Sequence, residues 1–547
     1  MFIKKLKNGT KMKINKYKIV FFCIFLLAAF LRLYKLSDLP ASLNPDEVAL
    51  GYTSYSLLTT GADEHGNFLP IVLESFGDWK LPVYSYIGVI PIAVFGLNEA
   101  AVRLPSVIAG LIGVLLIFKI SNLLFSKIEI SLLAAFFYAL SPWSIYFSRA
   151  AYEVNVATTL CMCGLYLFLH YISNKKENLW ILISSYLFFC ATLVTQHNYI
   201  LFTPLFVFSL LITFRKRILN KKPLLISLTA FIIIFIILFE TLSQGTSKKI
   251  SNLNLFNDQN LIYTRVEKLR GDKADKNQFV EHLIHNKYLG ISYQIGQNYL
   301  NSFSPNYLFD KGGEKLVHNI GDIGFFYLFD VVLIFMGFIA LFWNRDKSLK
   351  ILLPWLLIAP IPSALTRDAP NATRLFTILP VLILIISYGS YKITQLLLVN
   401  RFGKAVFCIL IALFLLNTLY FFDIYFIHFN LHRVRFWKYG YREAVYITKR
   451  YPGYSVVMRG PENFPYIYFL FYYSYNTRKF QREVNYLPST SEGFRYVKGF
   501  GRFEFVERID YTKLKSKTVY IDDQIYSKSG LIRLPSGEPI LQFTVVN

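Results

Sequence analysis

Asp46 and Glu47 stand side by side in NPDEVALGY (44–52), and Lys80, Arg149 and Arg374 are cations at the margins of apolar runs. A carboxylate at a membrane edge can take a proton from a hydroxyl. Lys and Arg can hold a phosphate, Arg by its planar fork and Lys as a point charge. A base and a phosphate cradle together suit sugar transfer from a lipid-phosphate donor. The leaving group is then a phosphate ester anion, which departs without a general acid once its charge is neutralised. One base facing cations on the opposite side implies direct displacement with inversion at the anomeric carbon. Neighbouring residues on a helix diverge by about 100°, so the two acids cannot both face one atom. One of them reads as catalytic and the other as structural. A purely structural alternative stands beside this: Pro45 opens a helix, and acids at a helix start serve as caps or dipole partners.

The other polar residues each carry two readings. Arg149 and Glu153, in SRAAYE, are spaced to pair on a helix or to contact acceptor or phosphate. His197, in QHNY, is an interfacial histidine or a substrate contact. Arg374 is a snorkelling anchor at a span entry or a donor-phosphate ligand. Arg367 and Asp368 read as a local ion pair. Asp63, Glu64 and His65 form a polar turn with Gly66 and Asn67, or a divalent-metal cluster. No cofactor and no metal is required; a divalent ion at 63–65 is the one exception kept open.

These residues need a membrane scaffold. The 547 residues are 54% hydrophobic, 17% aromatic and 17% charged, with mean hydropathy +0.40. Repeated apolar runs of about 20 residues match a lipid core of about 30 Å. The expected spans are 19–36, 104–123, 130–147, 154–172, 178–195, 199–214, 223–241, 323–343, 350–366, 374–394 and 404–423, eleven in all. The run 83–97 is short, is broken by Pro91, and reads as a juxtamembrane helix. With the N-terminus inside, the basic loops SNLLFSKIEI, SNKKEN, RKRILNKK, NRDKSLK and VNRFGK all fall on the cytoplasmic side, as the positive-inside rule requires. Asp46, Glu47, His65, Lys80, SRAAYE, QHNY, the loop 243–322 and TRDAPNATR then gather outside. The basic N-terminus is followed by an apolar run without a small-residue cleavage site, which reads as an uncleaved first span.

The expected organisation is a cytoplasmic segment 1–18, a transmembrane domain 19–429 with outer loops 37–103 and 243–322, and a small extracytoplasmic α/β domain 430–547. In the last, YSVVMRG (454–460) and KTVYIDD (517–523) read as strands and YREAVYITKRY (441–451) as an amphipathic helix. The formal charge of +24 belongs to cytoplasmic loops and lipid headgroups, and no nucleic-acid partner is expected. The five cysteines all lie in apolar runs and imply no disulfide framework.

Four stretches, in order, resemble the GT-C glycosyltransferases of the protein O-mannosyltransferase and aminoarabinose (lipid A) transferase type, families 39 and 83. They are NPDEVALGYTSYSLLTTGADEHG, DWKLPVYSYIGVIPIAVFGLNEAAVRLPSVIAGL, SPWSIYFSRAAYEVN and SFSPNYLFDKGG. The resemblance covers most of 20–425. It implies the GT-C architecture, a polyprenyl-phosphate sugar donor, an outward-facing site in the plasma membrane and the first acid as base. On that match Asp46 is the base, Glu47 its neighbour and Lys80 a donor-phosphate contact. Two departures are visible. Leu81 separates Lys80 from Pro82, where the aminoarabinose enzymes place Lys directly before Pro, and no inserted carbohydrate-binding repeat is present.

The expected function is therefore a membrane glycosyltransferase moving a hexose or pentose to a hydroxyl of a lipid, glycan or protein at the outer face. Two alternatives remain: a polysaccharide polymerase or ligase with a lipid-diphosphate donor, and a non-enzymatic lipid-sugar transporter. A transporter would place its polar residues at the bilayer midplane in paired halves, and the sequence has no obvious internal repeat.

Overall fold

The computed structural model describes residues 2–174, 178–243, 254–257, 260, 263–268, 283–490 and 493–547, with residues 2–15, 257 and 265 described by backbone alone. The expected outer loop 243–322 lies partly outside them. The protein is a multi-pass helical membrane protein with a C-terminal β-sheet. Every expected span overlies a helix. Among the described residues, five helices, or six if the bent pair Ile128–Leu140 and Pro142–Ser148 is one span, are long and apolar enough to cross a bilayer. The expected spans at 178–195, 199–214, 323–343 and 350–366 coincide with apolar helices of 10–17 residues. A 15-residue helix is about 22 Å long, short of the lipid core, so the count of eleven exceeds what helix length alone supports. The run 83–97 forms the 13-residue helix Val83–Phe95.

The chain divides into two compact units. One comprises Met1–Leu26, Gly113–Ser144 and Ala157–Thr418; the other comprises Leu27–Ile112, Ile145–Val156 and Leu419–Asn547. In the first, helices Asp330–Trp343 and Leu379–Leu397 pack closely at small residues. A Cβ added to Gly389 would lie 2.1 Å from the Leu333 carbonyl oxygen, so the two backbones touch as small-residue membrane interfaces do. Trp143 stacks on Phe325 with centroids 4.4 Å apart and meets Phe376 edge-on.

The second unit carries the segment that contains the acidic pair. Helix Pro45–Thr60 is buried along most of its length. A Cβ on Gly51 would come within 2.5 Å of Val102 and 2.7 Å of Phe471, so only glycine lets this helix sit against both neighbours. Beyond it, β1 (Leu73–Ser75) and β2 (Asp78–Lys80) form an antiparallel hairpin pairing Leu73 with Lys80. The tail forms β3 (Ser455–Arg459), β4 (Asn485–Tyr486), β5 (Val497–Phe500), β6 (Phe503–Val506), β7 (Thr518–Asp522), β8 (Leu531–Arg533) and β9 (Pro539–Val546). These make one sheet in the order β4-β5-β6-β3-β7-β9-β8. β3 runs parallel to both β6 and β7, and the remaining pairs are antiparallel. The β-branched and aromatic residues of KTVYIDD bury all five positions of β7, as a central strand requires. Helix Pro465–Tyr472 is wholly buried and packs Phe469 on Phe503 at 4.8 Å. From that helix the Tyr468 hydroxyl donates to the Leu43 carbonyl at 2.9 Å, next to the acidic pair.

Candidate active site

The helix bearing the acids starts as its sequence dictates. Asn44 is extended, Pro45 occupies the first turn, and Asn44 and Glu47 form a reciprocal capping box. The Glu47 amide donates to Asn44 Oδ1 at 3.0 Å, and the Asn44 amide donates to Glu47 Oε2 at 3.2 Å. This geometry satisfies two backbone donors that a helix start otherwise leaves open.

Glu47 does more than cap. Its carboxylate is 1% exposed and accepts from Arg103 Nε at 3.1 Å and from the Ala151 amide at 2.8 Å. Arg103 is fully buried and also donates to the carbonyls of Leu36, Pro40 and Ser42 at 2.7–2.9 Å. One carboxylate and one guanidinium thus join the segment 36–47, the start of helix Glu99–Phe125 and the turn at 149–152. The charges compensate each other, which a buried pair must do to be tolerated.

Asp46 points differently. Its side chain is 66% exposed, and Oδ1 lies 2.8 Å from Lys80 Nζ. Lys80, at the end of β2, is buried to 4% exposure and also donates to the Asp46 carbonyl at 3.4 Å. Burial pushes the Lys80 ammonium down, but Asp46, Glu153 and Asp78 outweigh it and hold its pKa above the usual lysine value. The ammonium keeps its charge in a nearly dry position. The Lys80 Nζ lies 5.5 Å from the centroid of the Phe76 ring.

The remaining expected residues separate by role. Arg149 is fully buried and donates to the carbonyls of Leu31, Tyr34 and Leu39 and to the Tyr425 hydroxyl. The turn at 149–152 interrupts the helix between it and Glu153, so their spacing is not that of one helix face. Glu153 begins helix Glu153–Ser173 and contributes to the field on Lys80. In the other unit, Arg374 lies in the short helix Ala372–Leu375 and is paired with Asp368 at 2.5 Å. Lys315 meets the same carboxylate at 2.6 Å. Burial pushes Asp368 up, yet Arg374 and Lys315 together hold it well below the carboxylate range. The local partner of Asp368 is therefore Arg374, with Lys315 beside it, where sequence adjacency pointed to Arg367. His197 sits in the turn before helix Tyr199–Thr213, where the neighbouring Asn198 donates to the Arg374 carbonyl at 3.1 Å.

The cluster at 63–65 is mostly a turn. The Asp63 carboxylate accepts from the amides of His65 and Asn67 and from the Asn67 side chain, all at 2.9 Å. Glu64 is 1% exposed and accepts from the Thr53 hydroxyl at 3.1 Å. Burial raises its carboxyl to about 7, against the opposing pull of His65. Among the described residues no group of three His, Cys, Asp or Glu side chains converges to hold a metal.

Residues 80–239 match the family model for dolichyl-phosphate-mannose-protein mannosyltransferase. The matched segment begins at Lys80 and takes in Arg103, Arg149, Glu153 and His197; it covers less than a third of the chain. Solved structures overlap with it over a longer stretch. ArnT from Cupriavidus metallidurans in the apo state is 10% identical, with 84% of this chain and 85% of that chain covered and a TM-score of 0.48. The same protein bound to undecaprenyl phosphate is 10% identical, with 83% and 84% covered and a TM-score of 0.47. The archaeal oligosaccharyltransferase AglB from Archaeoglobus fulgidus, in complex with an inhibitory peptide and a dolichol-phosphate, is 12% identical, with 83% of this chain and 63% of that chain covered and a TM-score of 0.49. A comparison with curated proteins gave no match.

The residue that sequence reasoning passed over is Arg103. It stands in the quoted RLPS stretch at a span entry, a position that reads equally as a headgroup anchor. Its partner is 56 residues away, and no local pattern links the two. Lys315 was missed for the same reason: it follows the quoted SFSPNYLFDKGG, but its carboxylate partner lies in TRDAPNATR.

Proposed function

We propose that this protein moves a sugar from a polyprenyl-phosphate donor to an acceptor hydroxyl at the outer face of the membrane, with Asp46 as general base. The observation that carries the proposal is the Asp46–Lys80 pair at 2.8 Å, exposed on the carboxylate side and buried on the ammonium side. An accessible carboxylate can meet a hydroxyl. A charged ammonium fixed beside it can meet the phosphate oxygen on which negative charge develops. Lys80 has three N–H donors, and two contacts to Asp46 account for part of that capacity. The family description names a polyprenyl-phosphate sugar, dolichyl-phosphate-mannose, as the donor class, which supports a lipid monophosphate here.

The step needs no cofactor. The acceptor oxygen loses its proton to Asp46 and forms a bond to the anomeric carbon. The bond from that carbon to the phosphate oxygen breaks, and the electron pair leaves with the lipid phosphate. Glu47 holds the helix start in place through Arg103, so that Asp46 and Lys80 keep their spacing. Arg374 is carried forward as a further cation for the donor lipid, and Arg149, Glu153 and His197 as supporting residues.

The test is sugar transfer by purified protein from a polyprenyl monophosphate sugar, with a diphosphate-linked sugar in parallel. Transfer from the monophosphate alone, lost in Asp46→Asn, is the expected result. Transfer from the diphosphate alone would replace this proposal with a polymerase or ligase.

A further inference from the structure

The C-terminal sheet has a topological switch point that the transfer chemistry does not use. β3 and β7 are adjacent and parallel. After β3 the chain runs to β4, β5 and β6 on one side; after β7 it runs to β8 and β9 on the other. Neighbouring parallel strands whose outgoing connections part in this way open a crevice at their carboxyl ends, and open α/β sheets bind ligands there.

Polar side chains line this crevice. At the end of β3, Arg459 Nη1 lies 3.3 Å from Asp522 Oδ1 and 3.5 Å from Asp523 Oδ1, at the end of β7. Asp522 is buried and also accepts from the Tyr511 hydroxyl at 2.9 Å. Asp523 is 43% exposed. Lys438 donates to Asn463 Oδ1 at 2.5 Å and lies within the field of Glu462 and Asp523. Beside these groups are two aromatic rings. Tyr511 and Tyr526 are 38% and 64% exposed, with centroids 5.3 Å apart and planes at 68°. The Tyr526 hydroxyl is tied to Gln524, two residues past the end of β7.

We propose that this crevice binds a carbohydrate chain and, resting on the transferase reading above, that this chain is the acceptor. Glu462, Asp522 and Asp523 outnumber Lys438 and Arg459, so the crevice is net negative within a chain of formal charge +24. That sign opposes a phosphate or an anionic lipid. It suits hydroxyls, which donate to Asp523 and accept from Arg459 in alternation. Two exposed rings at an angle give the C–H face of a pyranose an apolar wall, a larger aromatic surface than a solvated loop needs.

The experiment uses the full chain in detergent on a printed array of neutral hexose and N-acetylhexosamine oligosaccharides. The protein should bind at least one of them. Tyr526→Ala and Asp523→Asn should each weaken that binding about tenfold, while Tyr526→Phe, which keeps the ring, should retain it. The array reads binding with no sugar donor present. A failed transfer assay would therefore leave this result readable by itself. An array with no bound oligosaccharide, or one bound equally by Tyr526→Ala and Asp523→Asn, would overturn the proposal.

Discussion

Breaking the Glu47–Arg103 pair gives the clearest energetic handle on the site. Both side chains are essentially solvent-free, at 1% and 0% exposure. Glu47→Gln keeps an oxygen for the Ala151 amide but leaves the guanidinium without its counter-charge. Arg103→Met leaves the carboxylate with only the Asn44 and Ala151 amides and removes the donor from three carbonyls. Removing one partner of a buried pair costs about 3–5 kcal/mol, because the other charge is stranded. Removing both together strands neither, so the double variant should cost less than the two singles added. The surplus should be on the order of 1–3 kcal/mol, typical of directly coupled residues. The assay is denaturant or thermal unfolding of the full chain in one detergent, for the wild type, both singles and the double. Additive losses, or single losses below about 0.5 kcal/mol, the range of ordinary surface changes, would refute the claim that this pair fastens the outer loop.

Other expectations follow from the same geometry. Glu64 titrates near 7 in the folded protein because of burial, well above its unfolded value. Its contribution is then fully present below the unfolded pKa of about 4.5 and is lost as pH rises through about 7. Glu64→Gln should thus gain stability relative to the wild type between pH 5 and pH 8, by about 3 kcal/mol, and a pH-independent difference in unfolding midpoint would contradict this. Lys80→Ala and Arg374→Ala should each lose about 1.5–3 kcal/mol of donor binding, as charge-assisted contacts do. If both bind and transfer at wild-type levels, neither cation touches the donor. In a cysteine-free background, Asn260→Cys should react with a membrane-impermeant thiol reagent in intact cells and Ile218→Cys should not; the reverse pattern would invert the topology.

What the sequence revealed and what it hid divide along physical lines. Lipid demands long apolar runs, so helix positions were legible from composition alone, as were the β-branched strand KTVYIDD and the amphipathic helix at 441–449. The capping alternative for the two acids was legible as well, and Glu47 does form a capping box. Contacts that depend on how distant segments meet were not legible. Asp46 and Lys80 are 34 residues apart, Glu47 and Arg103 are 56 apart, and Tyr468 reaches Leu43 across 425. The hairpin carrying Lys80 was hidden too, because three-residue strands leave no periodicity to read. Arg149 looked like a phosphate ligand because an arginine at a span edge is ordinarily free to reach outward, whereas here backbone carbonyls enclose it.

The central claim rests on Asp46, and one substitution tests it most directly. Asp46→Asn keeps the size of the side chain and an oxygen for Lys80 but cannot take a proton. Purified, folded protein should be assayed for sugar transfer from a polyprenyl-phosphate donor, with donor binding measured separately on the same sample. Loss of a general base typically costs on the order of 10²- to 10⁴-fold in rate, and this loss should appear in turnover with donor binding largely kept. Near-normal turnover in Asp46→Asn would reduce the acidic pair to a helix cap and remove the proposed base.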